Sequence, residues 1–191
     1  KAIGFPILEI EGVEADDVIA TIVEMAKKEG YTSVISSLDK DLMQLVEDPS
    51  VSMINTMTNK RFNEKEVIEK FGVKPSQIRD MLALVGDTSD NIPGVPKVGQ
   101  KTAAKWLNEF GDLESIKENA YAIKGVVGDN LRNALDVLDR NISLVSLKKD
   151  VDIHVKIEDL LTLNPDDDEL NKIFSELEFT TIKNNDEKSK E

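Results

Sequence analysis

The chain has 191 residues, of which 40% are hydrophobic and 32% are charged, a composition typical of a folded globular protein. It has no cysteine, which excludes disulfides, thiol catalysis and thiolate metal sites, and its one histidine, His154, leaves little scope for a zinc site or a Ser-His triad. The net charge of −13 argues mildly against a nucleic-acid partner, because such proteins usually carry a basic surplus. Carboxylates that bind divalent cations count as negative in this sum, however, although the loaded site is positive.

The first 62 residues alternate apolar runs with helical patterns, which is typical of a parallel sheet covered by helices. We predict a helix from the 13–17 segment to a stop at Gly30, and a short second helix after Asp41. The predicted strands are residues 6–10, 32–37 and 51–56, and the last of them enters a hairpin at 58–60.

From Asn63 onward the pattern becomes helical. Glu66 follows Asn63 at the spacing of a capping box, and Gly72 can end that helix. The further predicted helices are residues 78–85, 103–110, 112–117, 129–145 and 166–177. His154 falls in an apparent strand at 151–155, and we expect its role to be structural.

These patterns divide the chain into three parts. We predict an α/β core in residues 1–62, a helical subdomain in residues 63–180 and a disordered tail in residues 181–191.

The connection between the helices at 78–85 and 103–110 carries residues with two kinds of chemistry. Asp87 and Asp90 are hard oxygen ligands, close enough in a turn to reach one cation. Gly94 and Gly99 have no side chain, so another molecule can approach their backbone closely. Lys101 and Thr102 begin the next helix, whose N-terminus suits a phosphate. Asp, Asn, Gly and Pro are also the commonest turn formers, so part of this stretch fits a plain helix connection.

Carboxylates form three groups, and two of these groups follow predicted strands. The groups are Glu14, Asp16 and Asp17; Asp39 and Asp41; and Asp87 and Asp90. In an open parallel sheet the carboxyl ends of strands form the edge where ligands bind. Any single group also fits a helix cap. Three converging groups, however, would repel one another strongly unless cations bound between them.

Oxygen ligands without sulfur suit Mg²⁺ or Mn²⁺. Two such ions about 4 Å apart can orient water and stabilise a phosphodiester under attack. The residues alone therefore indicate a metal-assisted phosphoryl hydrolase acting on a nucleic-acid backbone.

Five sequence blocks resemble one family closely. The blocks are EGVEADDVIAT, DKDLMQLV, NTMTN, FGVKPSQIRDMLALVGDTSDNIPGVPKVGQKTAAK and LEFTTI. They resemble the 5′-nuclease domain of bacterial DNA polymerase I, a relative of the flap endonucleases, over about residues 3–182. The resemblance implies a Rossmann-like (PIN-like) α/β fold followed by an all-α subdomain. It also implies structure-specific 5′-3′ exonuclease or flap endonuclease activity by two-metal-ion catalysis in replication and repair.

The resemblance also implies roles for the carboxylates. The first metal site would use Glu14, Asp16 and Asp17, and the second would use Asp39, Asp41, Asp87 and Asp90. Among these we expect Asp16, Asp39 and Asp41 to be the catalytic residues.

The 86–102 stretch would be the family's helix–three-turn–helix, which grips duplex DNA by its phosphates. Its phosphate-binding residues would be Gly94, Lys97, Gly99, Lys101, Thr102 and Lys105. Backbone carbonyls of Gly94, Val95 and Val98 would hold a monovalent cation, K⁺. The implied partner is DNA with a 5′ flap or a nick, in a cytoplasmic protein whose parent chain also carries a polymerase domain.

Three departures from the family pattern stand out. Leu38 replaces the usual glycine before DKD, and Lys97 replaces a glycine of the hairpin, where it adds a phosphate contact if its φ is negative. The family's first strand and basic arch do not precede Lys1, so we expect an incomplete nuclease domain that cleaves weakly or not at all by itself.

Two other functions fit parts of the pattern. A non-catalytic duplex-binding module would use only the hairpin, and its binding would be indifferent to substitution of Asp16 or Asp39. A metal-dependent phosphohydrolase of small substrates would also place aspartates at strand ends, but it has no use for a GVPKVG hairpin.

Overall fold

The computed structural model describes residues 1–179, in which the chain forms two compact units. One unit combines Lys1–Gly12 with the chain from Asp152 onward, and the other is Val13–Val151. The predicted tail at 181–191 lies outside the described residues, and the predicted boundaries at residues 62 and 180 stay predictions.

The larger unit contains a three-stranded sheet with strands β1 (Ser33–Ser36), β2 (Val51–Asn55) and β3 (Lys60–Phe62). β1 pairs in parallel with β2, and β3 returns antiparallel to β2 through the expected hairpin. Adjacent positions across the sheet are buried on one face; they are Ile35, Met53 and Phe62. The sheet is therefore mixed. Asp39 and Asp41 follow β1, which is one strand of the parallel pair.

Helices make up most of the larger unit. They are α1 (Ala15–Lys28), α2 (Glu64–Phe71), α3 (Ile78–Val85), α4 (Gln100–Phe110), α5 (Leu113–Glu118), α6 (Val126–Asn133) and α7 (Leu135–Val145). Short 3-10 helices cover Asp41–Leu45 and Pro75–Gln77. A two-residue strand pair, β4 (Gly86–Asp87) and β5 (Ile92–Pro93), lies between α3 and α4. No described helix has the length and apolarity to cross a membrane.

Local signals explain several helix ends. The Asn63 side chain accepts hydrogen bonds from the backbone N–H groups of Lys65 and Glu66. The Glu66 carboxylate in turn accepts one from the backbone N–H of Asn63, which completes the predicted capping box. Gly72 ends α2 in the left-handed conformation, φ 77°, which glycine adopts without a steric penalty.

The core of the larger unit is built around α3. This helix packs against α4, α5, α7 and both 3-10 helices, and its residues Ala83 and Leu84 are fully buried. Leu107 of α4 and Leu138 of α7 are also fully buried. α3 thereby fixes the position of β4, which follows it directly and carries Asp87.

Three sequence predictions were wrong. Residues 6–10 are not in a strand, because among the described residues no neighbouring strand pairs with them. Residues 151–155 are not in a strand: the backbone bends at His154, which takes φ 54°, and the backbone N–H of His154 donates to Asp152 Oδ1. The helix predicted at 129–145 is two helices, interrupted at Ala134.

The smaller unit holds α8 (Asp167–Glu176), which Asp166 caps by accepting a hydrogen bond from the Glu169 N–H. Backbone hydrogen bonds join its two segments: Leu163 N–H donates to Gly4 O, and Asp166 N–H donates to Ala2 O. His154 is exposed, and its Nδ1 lies 2.8 Å from Asp152 Oδ1.

Candidate metal centre and phosphate-binding hairpin

The first acidic group lies at the start of α1. Glu14 is the exposed N-cap residue, and Asp16 and Asp17 lie in the first turn, where carboxylates complement the helix dipole. Asp17 is buried, and its Oδ1 accepts a hydrogen bond of 2.9 Å from the backbone N–H of Lys148. Asp17 therefore ties α1 to the chain after α7, whereas the Asp16 side chain forms no hydrogen bond with the described residues.

The second group follows β1. Asp39 Oδ1 accepts a hydrogen bond of 2.9 Å from the Asp41 N–H, and the Asp39 N–H donates to Ser37 Oγ. This turn starts the 3-10 helix Asp41–Leu45 and aims the Asp41 side chain inward. Asp41 Oδ1 is buried and has no hydrogen-bond partner among residues 1–179, an arrangement that is costly for a carboxylate oxygen unless a ligand meets it.

The third group sits on the strand pair after α3. Asp87 is buried, and its Oδ1 accepts hydrogen bonds from the N–H and the hydroxyl of Ser89. Asp87 Oδ2 lies 2.7 Å from the Nζ of Lys40. Both carboxylate oxygens of Asp87 therefore already have a donor.

The second and third groups meet. Carboxylate oxygens of Asp41, Asp87 and Asp90 all lie within 4.8 Å of one another. Their burial differs, since Asp87 is buried, Asp41 is half-buried and Asp90 is exposed. The cluster is thus open to solvent on one side.

The pKa values reflect this crowding. Burial, followed by the charges of Asp39 and Asp87, raises the pKa of Asp41 to about 6. The hydrogen bonds from Lys40 and then from Ser89 lower the pKa of Asp87 to about 2. The two shifts are opposite because Lys40 and Ser89 donate to Asp87, whereas the buried Oδ1 of Asp41 has no donor.

Asp16, of the first group, is influenced by the charges of the other two groups. Partial burial raises the pKa of Asp16, and the charges of Asp39, Glu14, Asp17 and Asp90 raise it further. The charge of Asp39 thus acts on both Asp16 and Asp41, although neither Asp16 nor Asp39 belongs to the Asp41–Asp87–Asp90 cluster. Their assignment as ligands or catalytic residues stays a prediction.

The donor set fits a hard divalent cation. All three clustered side chains offer a carboxylate oxygen, and Asp41 has in addition a buried oxygen, Oδ1, without a hydrogen-bond partner among the described residues. A cation there would supply the missing partner and relieve the repulsion that raises the pKa of Asp41.

The hairpin after α3 is shaped by contact of backbone with backbone. A Cβ on Gly94 would lie 2.0 Å from the carbonyl oxygen of Val85, and one on Gly86 would lie 2.3 Å from the nitrogen of Gly94. Gly94 is therefore required for packing within the chain, and its contact with phosphate stays a prediction. Gly99, by contrast, faces open space, with no atom within 4 Å of an added Cβ.

Lys97 adopts φ 65°, so the negative φ assumed for it is wrong. It occupies the left-handed region that glycine favours, and its side chain is exposed. Lys101 and Lys105 are exposed on the first turns of α4, and Thr102 between them is half-buried. Whether these residues bind phosphate stays a prediction.

Of the three carbonyls expected to hold a monovalent cation, the one on Val95 already accepts a hydrogen bond of 3.0 Å from the Val98 N–H. A carbonyl oxygen has two lone pairs, so this bond leaves one available. The contributions of Gly94 and Val98 stay predictions.

Sequence reasoning missed two residues that shape the site. Lys40, the middle residue of the DKD block, enters the acidic cluster, and its flanking aspartates were a signal that could have identified it. Asn141, fully buried in α7, donates hydrogen bonds to the carbonyls of Ala83 and Pro93, and so holds the end of α3 and the hairpin together. No local pattern marks Asn141, because its partners are far away in sequence.

An α/β core that carries a carboxylate cluster and is followed by a helical hairpin is the arrangement of a metal-dependent nuclease. Family profiles match the chain over both parts. The profile described as 5′-3′ exonuclease, N-terminal resolvase-like domain, matches residues 1–72, and the one described as 5′-3′ exonuclease, C-terminal SAM fold, matches residues 73–169. The chain belongs to the 5′-3′ exonuclease family, as the resemblance implied.

Two relatives show how much of the chain the similarity covers. DNA polymerase I of Mycobacterium tuberculosis is 42% identical over 188 residues, covering 95% of this chain and 20% of the relative. The 5′-3′ exonuclease of Aquifex aeolicus is 41% identical over 182 residues, covering 95% of this chain and 62% of the relative. The chain thus spans about a fifth of the length of the polymerase.

Solved structures of one phage enzyme share the fold. The structure of T5 5′-exonuclease with bound divalent zinc is 31% identical with a TM-score of 0.67, covering 73% of this chain and 52% of that one. A complex of the bacteriophage T5 flap endonuclease with DNA and metal ions is 30% identical, with the same TM-score and coverage. The expected combination of an α/β nuclease core and a helical subdomain is confirmed.

Proposed function

We propose that the chain is the nuclease part of a protein that hydrolyses DNA phosphodiesters, as a 5′-3′ exonuclease or flap endonuclease. The observation that carries this proposal is the cluster of Asp41, Asp87 and Asp90 with its unpartnered buried oxygen, in a chain of the 5′-3′ exonuclease family. Its cofactor would be Mg²⁺ or Mn²⁺, because every clustered donor is a carboxylate oxygen.

The residues divide the work in the following way. Asp41, Asp87 and Asp90 would hold one cation with Asp39 beside them, and Asp16 with Glu14 and Asp17 would serve a second. When bound, the cations would supply Lewis-acid activation of water and neutralise charge on the phosphate.

Ser89 keeps the Asp87 carboxylate oriented through its N–H and hydroxyl. The buried Oδ1 of Asp41 accepts no hydrogen bond from the described residues, which leaves that oxygen available to a ligand.

The substrate we propose is duplex DNA with a 5′ flap or a nick. Relatives named DNA polymerase I, and a T5 structure in complex with DNA and metal ions, support this choice. The hairpin would contact phosphates through Gly99, Thr102 and the lysines at 101 and 105, with K⁺ on its carbonyls, so binding would not depend on base sequence. We also propose a linked polymerase domain and a cytoplasmic location, because several relatives are named DNA polymerase I and come from bacteria.

Cleavage of a 5′-flap substrate with Mn²⁺, compared with a nicked duplex and a single strand, tests the proposal. We expect the release of the flap, which the sequence predicts to be slow, to stop with EDTA and in Asp87→Asn, which keeps the size of the side chain but removes its charge. DNA binding should persist in Asp87→Asn, since the hairpin does the gripping. Cleavage unaffected by Asp87→Asn would contradict the proposed site, and a chain that binds DNA but takes up no Mn²⁺ would favour a binding module.

A further inference from the structure

A groove runs along one side of α4 and lies outside the acidic centre. Its volume is about 620 Å³, and one wall is a single face of α4. The opposite wall is the loop that leads into α6. The lining residues are Lys101, Thr102, Lys105, Trp106, Glu109, Phe110, Ala122, Ile123, Lys124 and Val127.

The charge of this groove is opposite to that of the whole chain. Lys101, Lys105 and Lys124 line it and form no ion pair with any described residue, and the one acidic side chain in its lining is Glu109. The whole chain carries a net charge of −13. Three exposed, unpaired ammonium groups around one concave surface match a polyanion.

The wall that carries Lys124 is held rigidly. Arg132 Nη1 donates hydrogen bonds to the carbonyls of Ala120 and Ile123, which lie just before Lys124. Gly128 packs so closely that an added Cβ would lie 2.0 Å from the carbonyl oxygen of Ile123. The loop is therefore a fixed surface and not a free tether for the lysine.

The same wall is joined to the hairpin. The Asn130 side chain, in α6, donates a hydrogen bond of 2.6 Å to the carbonyl of Pro96, the residue before Lys97. Lys124 thus has a set position relative to the hairpin that leads into α4. Lys101 and Lys105 lie about 6 Å apart along the α4 axis, so the groove presents charge at several successive points.

We propose that the loop carrying Lys124 is a second phosphate-binding element, which extends the grip of the hairpin along the sugar–phosphate backbone of a nucleic acid through the α4 groove. The proposal rests on the proposed function, in that the hairpin binds the same duplex. Lys124 would contact a phosphate of the strand already held by Lys101 and Lys105.

Salt dependence of duplex binding provides the test, since each phosphate contact adds about 0.9 to the slope of log K against log salt. Fluorescence anisotropy with a labelled nicked duplex in EDTA avoids any dependence on cleavage. We expect Lys124→Gln and Lys101→Gln each to lower the slope by about 0.9, and the double variant by about twice that. Lys28→Gln is the matched control, because Lys28 is an exposed lysine of α1 without an ion pair among the described residues.

A second set of variants distinguishes the position of Lys124 from its charge. Asn130→Ala keeps every charge but frees the loop from Pro96, so it should weaken binding when Lys124 is present. It should add little in the background of Lys124→Gln, because the contact it positions is already gone. Thermal melts of Lys124→Gln should match those of the unchanged chain, since Lys124 is exposed.

The outcomes are distinguishable. If Lys101→Gln lowers the slope and Lys124→Gln does not, the second element is wrong and the proposed hairpin grip stands. Equal losses in Lys124→Gln and Lys28→Gln would show an effect of net charge alone and would overturn the inference. If neither Lys101→Gln nor Lys124→Gln changes the slope, the hairpin grip itself is wrong, and the inference falls with it.

Discussion

Lys40 lies beside the acidic centre, where it would compete with the proposed divalent cation. Its Nζ lies 2.7 Å from Asp87 Oδ2, and the other oxygen of Asp87 already accepts from Ser89. In the absence of a divalent cation, the ammonium group is the positive charge nearest to this carboxylate. A cation that binds Asp87 would come close to the ammonium, and the two would repel.

We therefore expect Lys40→Met to change two properties in opposite directions. The Tm in EDTA should fall, because the carboxylates lose their counter-ion, whereas the affinity for Mn²⁺ should rise. The interaction involves a half-exposed lysine, so each effect should be about 1 kcal/mol or less. Calorimetric titration with Mn²⁺ and thermal melts in EDTA measure them. Lys40→Arg, which keeps the charge, is the control, and unchanged or weaker Mn²⁺ binding in Lys40→Met would contradict the expectation.

The carboxylates themselves were predictable because hard ligands in turns leave a local signature. Asp41, Asp87 and Asp90 could be singled out from sequence, and the structure brings their oxygens together. The partner of Asp17 could not be predicted, because the backbone N–H of Lys148 reaches it only after the chain has folded. Proximity across such distances in sequence has no local pattern.

At the scale of the element, the hairpin contains two glycines with different roles. Gly94 touches the end of α3, whereas Gly99 faces open space at the start of α4. We expect Gly94→Ala to lower the free energy of unfolding by about 2 kcal/mol or more, because a Cβ cannot fit 2.0 Å from the carbonyl oxygen of Val85.

Gly99→Ala is the matched variant, and its free energy of unfolding should change by less than about 1 kcal/mol. If phosphates approach the backbone at the start of α4, this variant should still weaken duplex binding. Urea unfolding and fluorescence anisotropy measure the two effects. Equal stability of the two alanine variants would show that the close approach of Gly94 to α3 is not what shapes the hairpin.

The bounds of a helix could be predicted where nearby residues mark its two ends. The α2 helix has both a capping box at Asn63 and a left-handed glycine, so its bounds follow from sequence. The interruption at Ala134 has no such signal, since neither glycine nor proline stands there. The interruption allows α7 to pack against α3 while Asn130 of α6 donates a hydrogen bond to the Pro96 carbonyl. Its cause is therefore tertiary packing and not the local sequence.

At the scale of the whole molecule, stability depends on pH through two carboxyl groups with opposite shifts. The pKa of Asp41 is raised from 3.8 to about 6, so between these values the folded chain holds a proton that the unfolded chain has lost. The stability contributed by this group falls as pH rises through that window. The lowered pKa of Asp87, about 2, gives stability above 3.8 that is lost as pH falls toward 2.

We therefore expect Asp41→Asn to raise the Tm of the chain in EDTA at about pH 7, with a smaller gain at about pH 5, where Asp41 is mostly protonated. For the unchanged chain at about pH 7, Mn²⁺ at 100 times its Kd should add about 2.7 kcal/mol. Asp41→Asn should lose most of this gain. Scanning calorimetry with EDTA or Mn²⁺ at both pH values provides the measurement. A pH dependence that is the same in Asp41→Asn would show that other carboxyl groups dominate.

The two proline carbonyls of the hairpin also bear on the order in which the chain folds. Pro93 and Pro96 accept hydrogen bonds from Asn141 and Asn130, which lie 48 and 34 residues further along the chain. Closing such long loops is entropically costly, so these bonds form after the local turns of α3 and α4. The segment proposed to grip DNA should therefore be among the last in the larger unit to gain protection in pulsed hydrogen exchange. Amides of Val95 and Val98 protected before those of α7 would show the opposite order. During synthesis, the same dependence would keep the hairpin unformed until α7 has left the ribosome.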